Sequence, residues 1–418
     1  VTAIDTQTPA TIAAEPRTIG TEISAYFDKL RGGDVGSAPA VLGLIVLMVF
    51  FSILKPDTFA GSRNLANLLP QSAPVIFLAM GLIFVLLLGE IDLGAGYTAG
   101  VSAAVLAVQM TNHGWSWPIA FVACIVTGLV VGLIVGLLVA RLNIPSFVVT
   151  LASFLGLQGV LLLIIGEGGT IPVNSSTILA IMNNNMSPVA GWIFFLIVVV
   201  GYAGLTLLNV RSRQKAGLSA VPPAVIASKI VLLAVILGVI TFFLNQERSS
   251  NVMIKSLKGV PVIVPVTLAF MLVLGFVLTR TSFGRHVYAV GGNAEAARRA
   301  GINVPGIKIA CFMISSAMAA MGGILYASYA NSVSPSTGGS SSLLYAVGAA
   351  VIGGTSLFGG KGRIIDAILG GLVIGVVQNG LPLITQKAGV QFIVTGLVLL
   401  LAASVDALSR RRAAATGR

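Results

Sequence analysis

Twelve runs of mostly apolar residues, each near the length that crosses about 30 Å of hydrocarbon, leave this chain one way to fold. They lie at about 39–54, 73–89, 96–112, 117–140, 146–166, 189–209, 224–244, 260–280, 308–330, 342–359, 364–381 and 390–407. Inside a bilayer no water is present to bond exposed N–H and C=O groups, so apolar spans must close their bonds internally as helices. With 56% hydrophobic and 9% charged residues, and a mean hydropathy of +0.99, the 418-residue chain does not have a soluble composition. The expectation is an all-α polytopic integral membrane protein with about 12 transmembrane helices, 10 at the fewest.

The formal net charge of +12 would point to nucleic acid in a soluble protein. Here the basic residues follow the membrane. With the first end in the cytosol, only Lys55, Arg63, Arg248, Lys255, Lys258 and Lys387 fall outside, and the other nineteen lysines and arginines fall inside. Both termini and the segment 280–308 are therefore expected in the cytosol, and no nucleic-acid partner is expected. Residues 1–38 read as a cytosolic tail without a signal-like cleavage site, with an amphipathic stretch at Thr18–Leu30. Residues 39–408 read as the transmembrane domain and 409–418 as a basic cytosolic tail. The loop 166–188, rich in Asn, Ser and Gly, lands outside as a structured lip with a short helix. Cys124 and Cys311 both fall in apolar runs, which gives no basis for a disulfide framework or a metal site.

The segment 280–308, RTSFGRHVYAVGGNAEAARRAGINVPGIK, is unlike the rest. Gly291 and Gly292 are expected to break the preceding structure and Asn293 to cap a helix. Glu295 falls in the first turn and Arg298 and Arg299 in the last, as the helix dipole favours. Gly301 supplies a left-handed C-terminal position, and Asn303 and Pro305 prevent continuation. A helix from Ala294 to Ala300 is too short to stand alone in water, so it packs on something. Ala296, Ala297 and Ala300 are expected to be exposed and small enough for close approach. The segment is either an ordinary cytosolic turn or a docking helix.

A second unusual stretch is Leu86–Gly100, LLLGEIDLGAGYTAG. Glu90 and Asp92 stand between two spans with no basic neighbour in sequence, among Gly89, Gly94, Gly96 and Gly100, which permit a broken or re-entrant backbone. The two carboxylates sit either in a short turn at the headgroups or deeper, where they face hydroxyl groups. A related stretch, GGTSLFGGKG, recurs at Gly353–Gly362 on the same expected side. Comparing GEIDLGAG with GGTSLFGG points to an internal repeat of two similar halves. Gly89, Glu90, Asp92, Gly94, Gly353, Gly354, Thr355 and Ser356 are the candidates for a translocation pathway.

Enzyme signals do not hold. Gly359-Gly360-Lys361 ends like a phosphate loop, but Thr355 stands where that loop needs Gly, and Gly362 replaces the Ser or Thr that would hold magnesium. His113 and His286 fall on opposite sides of the membrane, so no His-based catalytic or metal pair is expected.

Glu295, Ala296, Ala297 and Gly301 match the E-A-A-x-x-x-G pattern of the cytoplasmic coupling loop of ABC-importer permeases. GEIDLGAG and GGTSLFGG resemble the G-G-I-D-L-S-x-G and G-G-T-S-L-x-G-G elements of the monosaccharide branch, in the same order, with Glu90 replacing a Gly. The resemblance covers roughly Leu65–Asp406, and the longer 189–259 region is closer to the xylose-type members. It implies a permease of a bacterial plasma (inner) membrane, not an enzyme, with coupling residues Gly291, Gly292, Asn293, Glu295, Ala296, Ala297, Arg298, Arg299 and Gly301. It implies four partners: an ATP-binding subunit that holds the ATP and magnesium, an extracellular or periplasmic sugar-binding protein, a second permease copy, and membrane lipid. This chain itself would hold no cofactor. The competing reading is an ion-coupled secondary transporter with Glu90 and Asp92 as ion ligands.

Overall fold

Each apolar run does close its backbone bonds as a helix. The computed structural model describes residues 38–216, 222–249 and 256–415, with side chains through 401 and at Ser404. In chain order the helices are α1 (Ala38–Leu54), α2 (Ser62–Leu87), α3 (Ala95–Thr111), α4 (Trp117–Arg141), α5 (Ser146–Ile165), α6 (Ser176–Asn183) and α7 (Pro188–Lys215). They continue with α8 (Pro223–Leu244), α9 (Ile263–Arg280), α10 (Ser282–Gly292), α11 (Ala294–Arg299) and α12 (Val304–Ala330). The last three are α13 (Ser340–Gly353), α14 (Ile364–Ile384) and α15 (Ala388–Ala415). The tail 1–37, with the amphipathic stretch Thr18–Leu30, and residues 416–418 lie outside the described residues.

Among the described residues, eight helices are long and apolar enough to cross a membrane: α2, α4, α5, α7, α8, α9, α12 and α14. The other four apolar runs are also helical: α1, α3 and α13 are shorter, and in α15 the apolar part is Ala388–Leu401. The run expected at 342–359 stops at Gly353, because Gly354 is left-handed with φ +118° and the chain turns there. The run expected at 73–89 begins at Ser62 instead. Asn64, Asn67 and Gln71 look like loop residues, and Pro70 and Pro74 look like breakers, yet all five lie inside α2. Buried neighbours make such prolines tolerable at membrane depth.

The core is built around α12 and α2. Gly128, Gly132 and Gly136 of α4 lie flat on α12: a Cβ would fall 2.6 Å from the Ser316 carbonyl oxygen, 2.6 Å from that of Phe312 and 2.9 Å from the Ile309 Cα. Gly371 and Gly375 of α14 meet Ile76 and Ser72 of α2 in the same way. Both small-residue ridges therefore serve packing within one chain, where close backbone approach replaces the hydrophobic force that lipid removes. At the periphery, α1, α7, α8 and α15 expose large apolar side chains such as Ile53, Ile197, Phe242 and Leu400, as lipid-facing helices do.

The loop 166–188 folds over one end of the bundle. Ser175 caps α6 by accepting from the Ile178 N–H. Two-residue strands β1 (Ile171–Pro172) and β2 (Ser332–Val333) pair antiparallel and tie the loop to the end of α12. The Asn183 amide donates to the Ser328 carbonyl at 2.7 Å.

Candidate functional site

The polar segment 280–308 forms two helices. Thr281 caps α10 by accepting from the Gly284 N–H at 3.2 Å, and α10 runs through Gly291 and Gly292 instead of breaking before them. The break comes at Asn293, whose side chain accepts from the Ala296 N–H at 2.9 Å and starts α11. Glu295 receives Arg298 at 2.8 Å and Arg299 at 3.1 Å. These arginines, Arg298 first, hold its carboxyl below the usual range. All three side chains are exposed, so the pairs add little stability and leave their charges available. Gly301 has φ +83°, the left-handed conformation that ends α11. Ala296 and Ala300 are exposed, but Ala297 is not. It is 5% exposed and packs in the core with Val287, Val290 and Ile307, which anchors the short helix.

Beneath this platform, three stretches that are far apart in sequence meet backbone to backbone. A Cβ on Gly291 would collide with the Leu87 carbonyl oxygen at the end of α2 and lie 3.0 Å from the Gly360 nitrogen. That same Leu87 carbonyl accepts from the Gly360 N–H at 2.9 Å. A Cβ on Gly359 would fall 2.9 Å from the Gly291 carbonyl oxygen and 3.0 Å from the Gly89 nitrogen. Gly89 and Gly359 both have positive φ, +73° and +86°, so neither position suits another residue. The Tyr288 hydroxyl of α10 donates to the Gly362 carbonyl at 2.6 Å. Nothing in the spacing of these segments indicates that Leu87, Tyr288 and Gly360 belong together.

Glu90 and Asp92 enter different environments. Glu90 pairs with Lys308 in the second turn of α12, with side chains 16% and 23% exposed. Asp92 is 4% exposed, accepts from the Ser315 hydroxyl at 2.9 Å and from the Gly94 N–H at 3.0 Å, and so fixes the chain entering α3. Ser315 lies seven residues beyond Lys308 on α12, which is about 10 Å along the axis. The extended stretch between α2 and α3 thus climbs back into the bundle. Its backbone is satisfied by α5: Ile91 donates to Ser146 and accepts from Thr150, each at 3.2 Å. Gly94 itself has ordinary helical angles.

In the second stretch, Gly353 ends α13 and Gly354 turns left-handed. Thr355 is fully buried and its hydroxyl donates to Asp366 at 3.3 Å, while Asp366 accepts from the Arg363 N–H at 2.8 Å and caps α14. Ser356 accepts from the Phe358 N–H, two residues on, at 3.1 Å. Asp92 accepts from Gly94 with the same spacing, and the two residues align in GEIDLGAG and GGTSLFGG. The two stretches therefore make the same side-chain-closed turn at the same position.

The chain is 36% identical to the xylose transport system permease protein XylH of Escherichia coli (strain K12) over 392 residues, covering 93% of this chain and 96% of that protein. It is 35% identical to the protein of the same name from Haemophilus influenzae, over 92% of this chain and 99% of the relative. It is 30% identical to the ribose import permease protein RbsC of Bacillus subtilis (strain 168), over 87% and 91%. No solved structure matches it. A family model described as branched-chain amino acid transport system / permease component matches residues 64–403, which take in the platform, the Leu87 junction and both glycine-rich stretches. With relatives matching almost end to end and the family model covering all but the two ends, the chain belongs to the family of branched-chain amino acid transport system permease components.

Proposed function

We propose that this chain is the transmembrane subunit of an ATP-driven importer that brings a monosaccharide, a pentose such as xylose, into the cytoplasm of a bacterium. The relatives named for xylose transport match nearly end to end, which supports the substrate class. The observation that carries the mechanism is the junction at Leu87, where the root of the α10–α11 platform lies on the end of α2 and on the Gly359–Gly360 turn. A push on the exposed face of α11 passes through α10 to the end of α2 and the Gly359–Gly360 turn, where Gly291 meets both backbone to backbone.

In this reading a separate ATP-binding subunit docks on Asn293, Glu295, Ala296, Arg298, Arg299 and Ala300. Two copies of the chain form the pathway, a secreted sugar-binding protein delivers the solute, and Gly89–Gly94 and Gly353–Ser356 act as paired hinges of an internal repeat. Glu90 and Asp92 are already engaged by Lys308, Ser315 and Gly94, so no observation favours the ion-coupled reading. Both ends and the α10–α11 platform lie in the cytosol, and Asn184 lies outside. A reporter fused at Asn293 should give a cytosolic signal and one at Asn184 an external one; an external signal at Asn293 would remove the docking assignment.

The test is reconstitution of the chain with its ATPase and binding protein in proteoliposomes. Radiolabelled xylose should accumulate only with ATP hydrolysis and the binding protein. Accumulation driven by a proton or sodium gradient without the ATPase would establish the competing reading.

A further inference from the structure

A polar cavity of about 670 Å³ opens at the outer end of α2, at the opposite end of that 26-residue helix from the Leu87 junction. Its size is within the roughly 300–1,000 Å³ of small-molecule sites. We propose that it is a low-affinity receiving site for a neutral hydroxylated solute of monosaccharide size, contacted by Asn67 and Tyr329. The proposal rests on the import reading above and adds the place where solute first enters the membrane subunit.

The lining carries the chemistry. Four asparagines face the cavity, Asn64, Asn67, Asn183 and Asn185, and amides offer both donors and acceptors without charge, as sugar hydroxyls require. Two of them are committed to the walls: Asn183 donates to Ser328, and Asn185 donates to the Leu257 carbonyl at 3.1 Å. Asn64 exchanges two amide bonds with Asn379 of α14, at 2.8 and 2.9 Å, and Asn379 also donates to Gln71 at 2.9 Å. This closed network fixes α2 against α14 and makes one wall rigid. Asn67 is exposed, and its amide reaches the Tyr329 hydroxyl at a long 3.5 Å. That pair can open to a ligand at little cost, and the half-exposed Tyr329 adds a ring face for the C–H side of a sugar.

The backbone contributes acceptors as well. Pro70 and Pro74 have no N–H, so the carbonyls of Ala66 and Pro70 lack their ordinary helical donors four residues on. Both residues line the cavity. The arginine inside, Arg248, is turned to the carbonyls of Leu244 and Gly259 and is spent there. Asp57 and Arg63 also line the cavity, and both are exposed to solvent. The amides and the tyrosine hydroxyl favour a neutral polyol, whereas an amino-acid zwitterion would have to pair with the solvent-exposed Asp57 and Arg63.

The experiment places a reporter at the rim, Thr58→Cys, in the full chain with its ATPase subunit in right-side-out membrane vesicles, without binding protein. Cys124 and Cys311 are buried and give little background. The reporter should react with a membrane-impermeant maleimide, and about 50 mM xylose should slow the reaction about fivefold, as for a site with a Kd of about 12 mM. Leucine at the same concentration should not slow it. Asn67→Leu and Tyr329→Leu, each added to the reporter, should abolish protection while the unprotected reaction rate shows that the protein is still folded; Tyr329→Phe, which keeps the ring, should retain part of it. An unreactive reporter, or no protection in vesicles whose complete transporter still accumulates xylose with ATP, overturns the site and leaves the importer reading intact. Protection by leucine instead of xylose, together with ATP-driven leucine uptake, overturns both.

Discussion

Gly291→Ala should leave the protein inserted and bound to its ATPase subunit, yet lower ATP-driven uptake at least about tenfold. The added methyl has nowhere to go, because the Leu87 carbonyl and the Gly360 nitrogen occupy its position and both are backbone atoms that cannot rotate away. Overpacking of this kind costs about 1–3 kcal/mol, and about 1.4 kcal/mol is already a tenfold change in an equilibrium between two arrangements. Relief comes by lifting α10 off the end of α2, which breaks the path from platform to bundle. Gly292→Ala is the informative neighbour: nothing lies within 4 Å of its position, so a defect there would not come from overpacking against the described residues. The pair is scored by co-purification of the ATPase and by solute-dependent hydrolysis. If Gly291→Ala transports like the parent protein, the Leu87 junction is packing and the proposed transmission route fails.

The spans and the platform are legible in the sequence because their signals are local. Apolar run length fixes a helix whatever surrounds it, and Asn293, Glu295 and Gly301 each act within four residues of themselves. The junction is not legible that way. Leu87 is one leucine among many, and it matters only because Gly291 and Gly360, hundreds of residues away, leave their backbones bare beside it. The cavity at the start of α2 escapes for a different reason. Hydropathy begins the second span at 73, since Asn64, Asn67, Pro70 and Gln71 lower the window average. Yet Asn64, Asn67 and Gln71 stand at helical spacing, and amides on one side of an otherwise apolar helix are the available sign. Gly291–Gly292 misleads in turn, because paired glycines before Asn293 suggest a break, whereas α10 continues through them and Gly291 serves close backbone contact.

Charge reversal across α12 separates the two readings of the acidic stretch. Glu90→Lys places two ammonium groups side by side where an ion pair stood, and at an effective dielectric near 20 such repulsion is about 4 kcal/mol at 4 Å. Lys308→Glu sets two carboxylates together with the same consequence. Both side chains are mostly but not wholly buried, so water relieves part of the penalty and each single change should cut uptake about tenfold to a hundredfold. The double reversal Glu90→Lys with Lys308→Glu rebuilds the pair with its sign exchanged. If Glu90 works by tying the stretch after α2 to the second turn of α12, uptake should return to within about threefold of the parent, a non-additivity expected only of residues in contact. An ion ligand behaves otherwise, because a lysine at position 90 cannot hold a cation whatever stands at 308. Recovery in ATP-driven uptake therefore supports the ion-pair role. Failure of the double reversal, in protein that inserts and binds its ATPase normally, would mean that the Glu90 carboxylate is needed for itself and would return it to the transport path.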